Sequence, residues 1–135
     1  MINNAAEAYK RQQIMTATPE ALTLMLYNGA LRFMKEGLEA MEAKQWEHCN
    51  NALQKAQKII LEFQSTLKME YDISKQLMPL YDYVYNSLVE ANMKSNPEKV
   101  TECMGIITEL RDAWAEAMKT ARKERGVTDA SAARY

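Results

Sequence analysis

Few side chains in this chain could take part in acid–base or metal chemistry. His48 is the only histidine, and Cys49 and Cys103 are the only cysteines. A metal site built from these three would lack a fourth ligand. Neighbouring residues on a helix point about 100° apart, so His48 and Cys49 could not easily bind the same ion. Phosphotransfer on one exposed histidine is the nearest enzymatic alternative, but between Glu47 and Asn50 no Lys or Gly stands beside His48 to steady a phosphoryl group. The sequence therefore predicts no catalytic residue, no metal, no cofactor and two buried cysteines.

Composition narrows the possible classes of protein. The chain has 135 residues, an apolar fraction of 47%, only four Gly and three Pro, and a formal net charge of −1. This length suits one domain with a real core, and the few Gly and Pro argue against a β-rich fold. The charge balance gives no bulk attraction to nucleic acid. The N-terminal residues have no apolar run typical of a signal peptide, and no stretch approaches the length of a membrane span, so we expect no membrane insertion.

Four stretches repeat apolar residues every three or four positions, which is the spacing of amphipathic helices that share a core. Thr18 followed by Pro19 is a helix-start signal, because the threonine can cap the helix and proline suits its first position. Asn96 followed by Pro97 repeats this signal. The predicted helices cover about 19–43, 45–68, 74–94 and 97–125.

Short predicted connections force neighbouring helices to run antiparallel. We therefore predict an all-α fold, an antiparallel up-down-up-down four-helix bundle over 18–126, ending near Gly126. A short N-terminal arm or helix at 1–17 precedes the bundle, and a flexible tail at 127–135 follows it. Pro79 leaves two possibilities open, because the third helix either begins near Met78 or is kinked at the proline.

The first and third predicted helices carry more apolar residues than one core stripe needs. In the first helix we assign Leu22, Leu26, Gly29 and Phe33 to the core, with Gly29 allowing a close helix contact. A second set lies off this stripe and is predicted to line an open groove for a partner peptide: Leu24, Tyr27, Leu31, Met34 and Leu38 from the first helix, with Met78, Tyr85 and Val89 from the third. Exposed apolar faces of this kind usually bind something.

Several segments resemble one known family. The stretch 16–33, TATPEALTLMLYNGALRF, closely resembles the start of the FliS family of flagellar export chaperones. Residues 81–85 (YDYVY) with 88–92 (LVEAN), residues 110–114 (LRDAW) and the pair at 8–9 (AY) are similar to later and earlier parts of that family. The resemblance covers nearly the whole chain in order and length.

The resemblance implies a cytoplasmic, all-helical chaperone that uses no nucleotide. Its cargo would be the C-terminal segment of flagellin, which is disordered in the monomer, and binding would prevent premature polymerisation. The family also contacts the flagellar export gate with cargo bound. The alternative is a structural bundle or adapter that homodimerises through its apolar faces, so the resting state is expected to be a monomer or a weak homodimer.

An exposed groove would promote aggregation, and the N-terminal arm has enough apolar residues for a weak cover. We therefore expect Tyr9, Ile14 and Met15 to form a lid that covers the groove in the empty protein and leaves when cargo binds.

Overall fold

The computed structural model describes residues 5–9, 11–12 and 17–133, and residues 126–133 by their backbone alone. Residues 5–9 and 11–12 are helical, and the rest of the described chain is dominated by four long helices. These are α1 (Pro19–Glu42), α2 (Trp46–Thr66), α3 (Asp72–Lys94) and α4 (Pro97–Ala133). No residue of the described ranges lies in a β-strand.

The four helices form a closed ring of neighbours. Helix α1 packs on α2 and α4, and α3 packs on the same two helices, so α1 and α3 lie diagonally across the bundle. The connections at 43–45, 67–71 and 95–96 are short, and short connections make successive packed helices antiparallel. The predicted all-α four-helix bundle is confirmed.

Both predicted helix-start signals have the expected capping geometry. The Thr18 Oγ1 atom accepts a hydrogen bond from the Ala21 backbone N–H at 3.2 Å, and Pro19 occupies the first turn. The Asn96 Oδ1 atom accepts one from the Glu98 N–H at 3.1 Å. Each cap satisfies a backbone donor that the first turn of a helix cannot pair internally.

The structure decides one alternative that the sequence left open and moves one predicted helix boundary. Helix α3 begins at Asp72 and continues through Pro79, so the helix does not start at Met78. Helix α4 does not end at Gly126 but runs to Ala133, so the boundary predicted between bundle and tail falls inside a helix. A single glycine lowers helix propensity by about 1 kcal/mol without necessarily ending the helix. Residues 134–135 lie outside the described part of the chain.

The core lies between all four helices and is almost entirely apolar. Its fully buried large side chains are Met34, Leu53, Ile60, Tyr81, Val84, Leu88, Val100, Cys103 and Ile107. On α1 the core stripe is the second of the two predicted stripes, because Tyr27, Leu31 and Met34 are buried. Leu22, which we assigned to the core, is 37% exposed, and Leu26 and Phe33 are only partly buried at its edge. The predicted phase of α1 is therefore wrong.

The close helix contact predicted at Gly29 occurs instead at Gly37. A methyl group added at Gly37 would lie 2.7 Å from Leu53 Cδ2 and 2.9 Å from its Cγ, whereas one at Gly29 would make an ordinary 3.5 Å contact with Ile59. At Gly105 nothing lies within 4 Å. Gly37 is thus the glycine that lets α1 and α2 approach.

The variant Gly37→Ala is expected to lower the free energy of unfolding by about 1–2 kcal/mol, because overpacking against the buried Leu53 exceeds the gain in helix propensity. Gly105→Ala is the matched control and should raise it by up to about 1 kcal/mol through propensity alone. Urea denaturation followed by circular dichroism measures both. Equal stabilisation by the two substitutions would show that α2 can shift away from α1 at no cost.

Candidate functional site: an apolar cleft beside helix α4

The three side chains considered for chemistry, His48, Cys49 and Cys103, do not form a metal-binding group in the structure. His48 lies on the surface, with its Nε2 atom 3.0 Å from Glu36 Oε1. Cys49 and Cys103 are buried and unpaired with each other, as predicted. Burial raises the pKa of both thiols, that of Cys103 to about 11, so neither is a reactive thiolate at neutral pH. Over the described residues, no three His, Cys, Asp or Glu side chains are grouped to hold a metal ion.

The predicted groove residues of α1 do not line an open groove. Tyr27, Leu31 and Met34 belong to the buried core, while Leu24 and Leu38 are partly buried. Both apolar stripes of α1 have helical spacing, and only the positions of α2 and α4 decide which one faces inward. The assignment of these three buried residues to an exposed surface is therefore corrected.

The predicted groove residues of α3 lie on a different side of the bundle. Met78, Tyr85 and Val89 are partly buried, and each is three, four or seven residues from Asp82. They therefore share the helix face of Asp82, whose carboxylate accepts a hydrogen bond from Gln64 on α2. Because α1 and α3 are diagonal in the bundle, the eight predicted residues cannot form one continuous groove.

The structure instead contains an apolar cleft of about 520 Å³ at the end of the bundle where α3 begins. One side is formed by α4, through Leu110, Ala113 and Trp114. The other side is formed by the start of α3 and by the α2–α3 connection. This surface is called the cleft below.

Helix α4 is held against α1 along the cleft. The Trp114 indole N–H donates to the Glu20 carbonyl oxygen at 2.9 Å, and the Arg111 guanidinium donates to Asn28 Oδ1 at 3.4 Å. The polar contacts between α3 and α4 lie farther from the cleft, at Lys99, Glu102 and Cys103 of α4. The side of α4 that faces the start of α3 is therefore left open.

The opposite side of the cleft exposes large apolar side chains. Tyr71 in the α2–α3 connection is 56% exposed and Ile73 in the first turn of α3 is 59% exposed. Leu77, one turn later, is partly buried against the core. Complete burial of a large apolar side chain contributes about 1.5–3 kcal/mol. Tyr71 and Ile73 leave more than half of their surface in water, so this is a surface suited to a partner.

Sequence reasoning missed this site. Leu77 and Trp114 have the spacing of core residues, so the sequence did not indicate that they also line a cleft. Tyr71 and Ile73 lie in or beside a connection and not on a predicted apolar stripe. The available signal was alternation of apolar residues at 67, 69, 71 and 73 in a segment that connects two helices. Polar residues are the rule in such connections.

Beneath the cleft, three aromatic rings join three helices. Tyr27 on α1 stacks on Phe63 of α2 at 4.5 Å between ring centroids, and Phe63 stacks on Tyr81 of α3 at 5.3 Å. The two tyrosine hydroxyls are 2.6 Å apart and share a hydrogen bond inside the core. Tyr27 also lines the cleft, so the stack fixes its inner surface.

Alkaline pH is expected to destabilise this aromatic stack. Burial raises the pKa of Tyr27 and Tyr81 above the value of about 10 that tyrosine has in the unfolded chain. The folded state therefore keeps protons that the unfolded state releases. Its stabilising contribution is complete below about pH 10 and is lost as the pH rises further, by up to about 1.4 kcal/mol per pH unit for each tyrosine.

Urea midpoints measured between about pH 8 and pH 11 provide the test. The double variant Tyr27→Phe/Tyr81→Phe should show a shallower fall than the wild type, because it lacks the two buried hydroxyls that release protons on unfolding. Parallel curves for the two proteins would mean that the buried pair does not cause the alkaline loss.

Comparisons with known proteins agree on one family. The family model described as FliS, flagellar protein FliS, matches residues 1–121. A Bacillus subtilis (strain 168) protein named flagellar secretion chaperone FliS is 42% identical over 124 residues, which cover 92% of this chain and 93% of that protein. The Vibrio cholerae protein of the same name is 33% identical over 119 residues, covering 84% and 88% respectively.

The fold is shared as well. A solved structure described as a flagellar chaperone from bacteria superimposes with a TM-score of 0.71 at 18% identity, covering 86% of this chain and 98% of that one. Within the described residues, no helix combines the length and apolarity needed to cross a lipid bilayer. Since the family match extends from the first residue into α4, the chain belongs to the FliS family, whose Bacillus and Vibrio members are named flagellar secretion chaperones.

Proposed function

We propose that this protein is a cytoplasmic flagellar export chaperone that binds the C-terminal segment of flagellin. Binding would keep that segment from polymerising before export and deliver it to the export gate. The proposal rests on membership of the FliS family and on relatives named secretion chaperones. No catalytic step, nucleotide or metal is part of it.

The observation that carries the proposal is the open apolar cleft with Tyr71 and Ile73 exposed at its edge. A disordered segment loses chain entropy when it docks and needs apolar contacts to compensate. An amphipathic helix places apolar side chains at i, i+3, i+4 and i+7, which suits a cleft bordered by two helices. The cleft is therefore proposed as the first contact surface for the cargo.

The half-buried residues of the predicted groove remain proposed contacts. Leu24 and Leu38 on α1, and Met78, Tyr85 and Val89 on α3, lie on faces outside the cleft. A cargo segment that wraps around the bundle would reach them as separate sites rather than as one groove. Their contribution can be measured by single substitutions to serine.

Calorimetric titration tests the proposed function. Full-length flagellin from the same bacterium is expected to bind one-to-one, and flagellin lacking its C-terminal segment is expected not to bind. Equal affinity for the two forms would exclude the proposal. Mass in solution separates the alternative function, because a homodimer that does not dissociate when flagellin is added would favour a structural bundle.

The N-terminal lid is a further part of the proposal. Tyr9 is exposed in the helical residues 5–9, whereas Ile14 and Met15 lie outside the described part of the chain. A lid that competes with cargo lowers the apparent affinity by the fraction of time that the cleft is open. Deletion of residues 1–15 should therefore tighten flagellin binding modestly.

Hydrogen exchange gives an independent measurement of the lid. Amides of residues 5–12 should lose protection when flagellin binds, while those of the first turns of α3 gain it. A gain of protection at residues 5–12 would show that the arm clamps the cargo, and the lid would then be rejected.

A further inference from the structure

A second recess lies beside the cleft, where α4 passes the first turn of α1. It has a volume of about 270 Å³, with Glu20 of α1 on one side and Met118, Arg122 and Arg125 of α4 on the other. Along α4 this basic recess begins at Met118, one residue after Ala117, the last α4 residue of the cleft. The two surfaces therefore adjoin, and a segment docked in the cleft along α4 can continue into the basic recess.

The two arginines of the basic recess have no carboxylate partner in the part of the chain that the structure describes. Neither forms an ion pair there, although Glu20 borders the same recess. Both side chains are exposed. A guanidinium stays charged at physiological pH, and its donors form a fork that fits a carboxylate. Arg122 and Arg125 are thus available to an acidic group of a partner.

The position of these arginines on α4 argues against a purely local role. Basic residues often stabilise the last turn of a helix, where the free carbonyl groups carry partial negative charge. Helix α4 runs to Ala133 and has no basic residue in its last turn. Arg125 lies more than two turns before that end, and Arg122 lies farther still. Their charges are therefore too far from the last carbonyls to stabilise them.

We infer that the basic recess binds the terminal carboxylate of the cargo, so that the flagellin segment lies in the cleft with its C-terminus toward the end of α4. This inference rests on the proposed function. The last residue of a C-terminal segment carries a negative α-carboxylate at neutral pH. A segment docked as a helix adds the negative end of its dipole, about half an elementary charge. Both charges favour this orientation over the reverse one, which would place the positive end of the helix against the arginines.

A nucleic acid fits this surface less well than a carboxylate does. The chain has a formal net charge of −1, and Glu116 and Glu124 lie on the same stretch of α4 as the two arginines. Binding to a phosphate backbone depends on many basic side chains acting together. One carboxylate, in contrast, can be bound by a single guanidinium through two parallel hydrogen bonds. The charges of the basic recess therefore favour a single acidic group.

The test compares two forms of one peptide, the C-terminal segment of flagellin from the same bacterium ending in a free carboxylate or in an amide. In calorimetric titrations of the full chain, the amide is expected to bind about threefold to tenfold more weakly, the effect of one or two exposed charge pairs. The difference should shrink as salt rises from about 0.05 M to about 1 M, because salt screens exposed charges. Equal affinities at low salt would overturn the inference and leave the proposed function intact.

The double variant Arg122→Gln/Arg125→Gln locates the carboxylate. It should bind both peptide forms equally, at the affinity of the wild type for the amide, and its thermal unfolding should be unchanged because both positions are exposed. The matched control Lys35→Gln/Lys58→Gln removes the same charge at exposed positions outside the basic recess and should keep the difference between the forms. If the arginine variant keeps that difference, or weakens both forms equally, the terminal carboxylate does not bind there and the inference is overturned.

A scrambled peptide separates this inference from the proposed function. It has the composition of the native segment and the same terminal carboxylate. If it binds as tightly as the native segment, or if neither peptide binds, the protein does not recognise this flagellin segment. The proposed function then fails and the inference fails with it.

Discussion

The variant Met34→Glu is expected to destabilise the bundle severely. Met34 is fully buried on α1 and belongs to the central core. A glutamate there would bury an unpaired carboxylate or force the helices apart, and the expected loss is about 4 kcal/mol or more. Domains of this size have total stabilities of about 5–15 kcal/mol, so the variant should lose a large part of its stability and unfold at a much lower temperature and urea concentration than the wild type. Thermal and urea unfolding followed by circular dichroism measure the effect.

Leu22→Glu on the same helix is the matched control. Leu22 is 37% exposed, so its carboxylate can stay hydrated and the expected loss is about 1 kcal/mol or less. The comparison decides between the two apolar stripes of α1. If Met34→Glu folded normally and Leu22→Glu lost its stability, the core of α1 would be the stripe predicted from the sequence, and the burial of Met34 would be wrong.

The variant Ile73→Glu is expected to reduce the affinity for flagellin by about 100-fold with little effect on folding. The substitution removes an apolar contact and requires a carboxylate to lose water when the cleft closes on its partner, together about 3 kcal/mol. Because Ile73 is largely exposed in the free protein, the free energy of unfolding should change by less than about 1 kcal/mol. Calorimetry with flagellin measures the affinity.

Two exposed apolar residues outside the cleft provide controls. Leu61 on α2 and Met93 near the end of α3 are exposed but do not line the cleft. Leu61→Glu and Met93→Glu should bind flagellin with nearly wild-type affinity if the cleft is the main contact surface. A loss as large as that of Ile73→Glu in either control would move the contact surface away from the cleft.

Much of the fold could be predicted from the sequence because its determinants are local. The Thr18–Pro19 and Asn96–Pro97 starts depend on side chains within three residues of the backbone groups they serve. The 3.6-residue period identifies helices without knowledge of their neighbours, and short connections leave few ways to arrange them. The resemblance at residues 16–33 supplied the family, which the comparisons confirm.

The site could not be predicted, because it depends on which surfaces meet. Helix α1 carries two apolar stripes, and only packing against both α2 and α4 decides that Tyr27 and Met34 are buried while Leu22 is exposed. The open cleft likewise arises where the Trp114–Glu20 hydrogen bond holds α4 against α1, across 94 positions of sequence. By itself the sequence determined the four helices, their caps and the family, because these follow from local spacing and motif. Only the tertiary structure decided which apolar faces became core and which remained open, because burial is a property of the neighbours a residue acquires on folding.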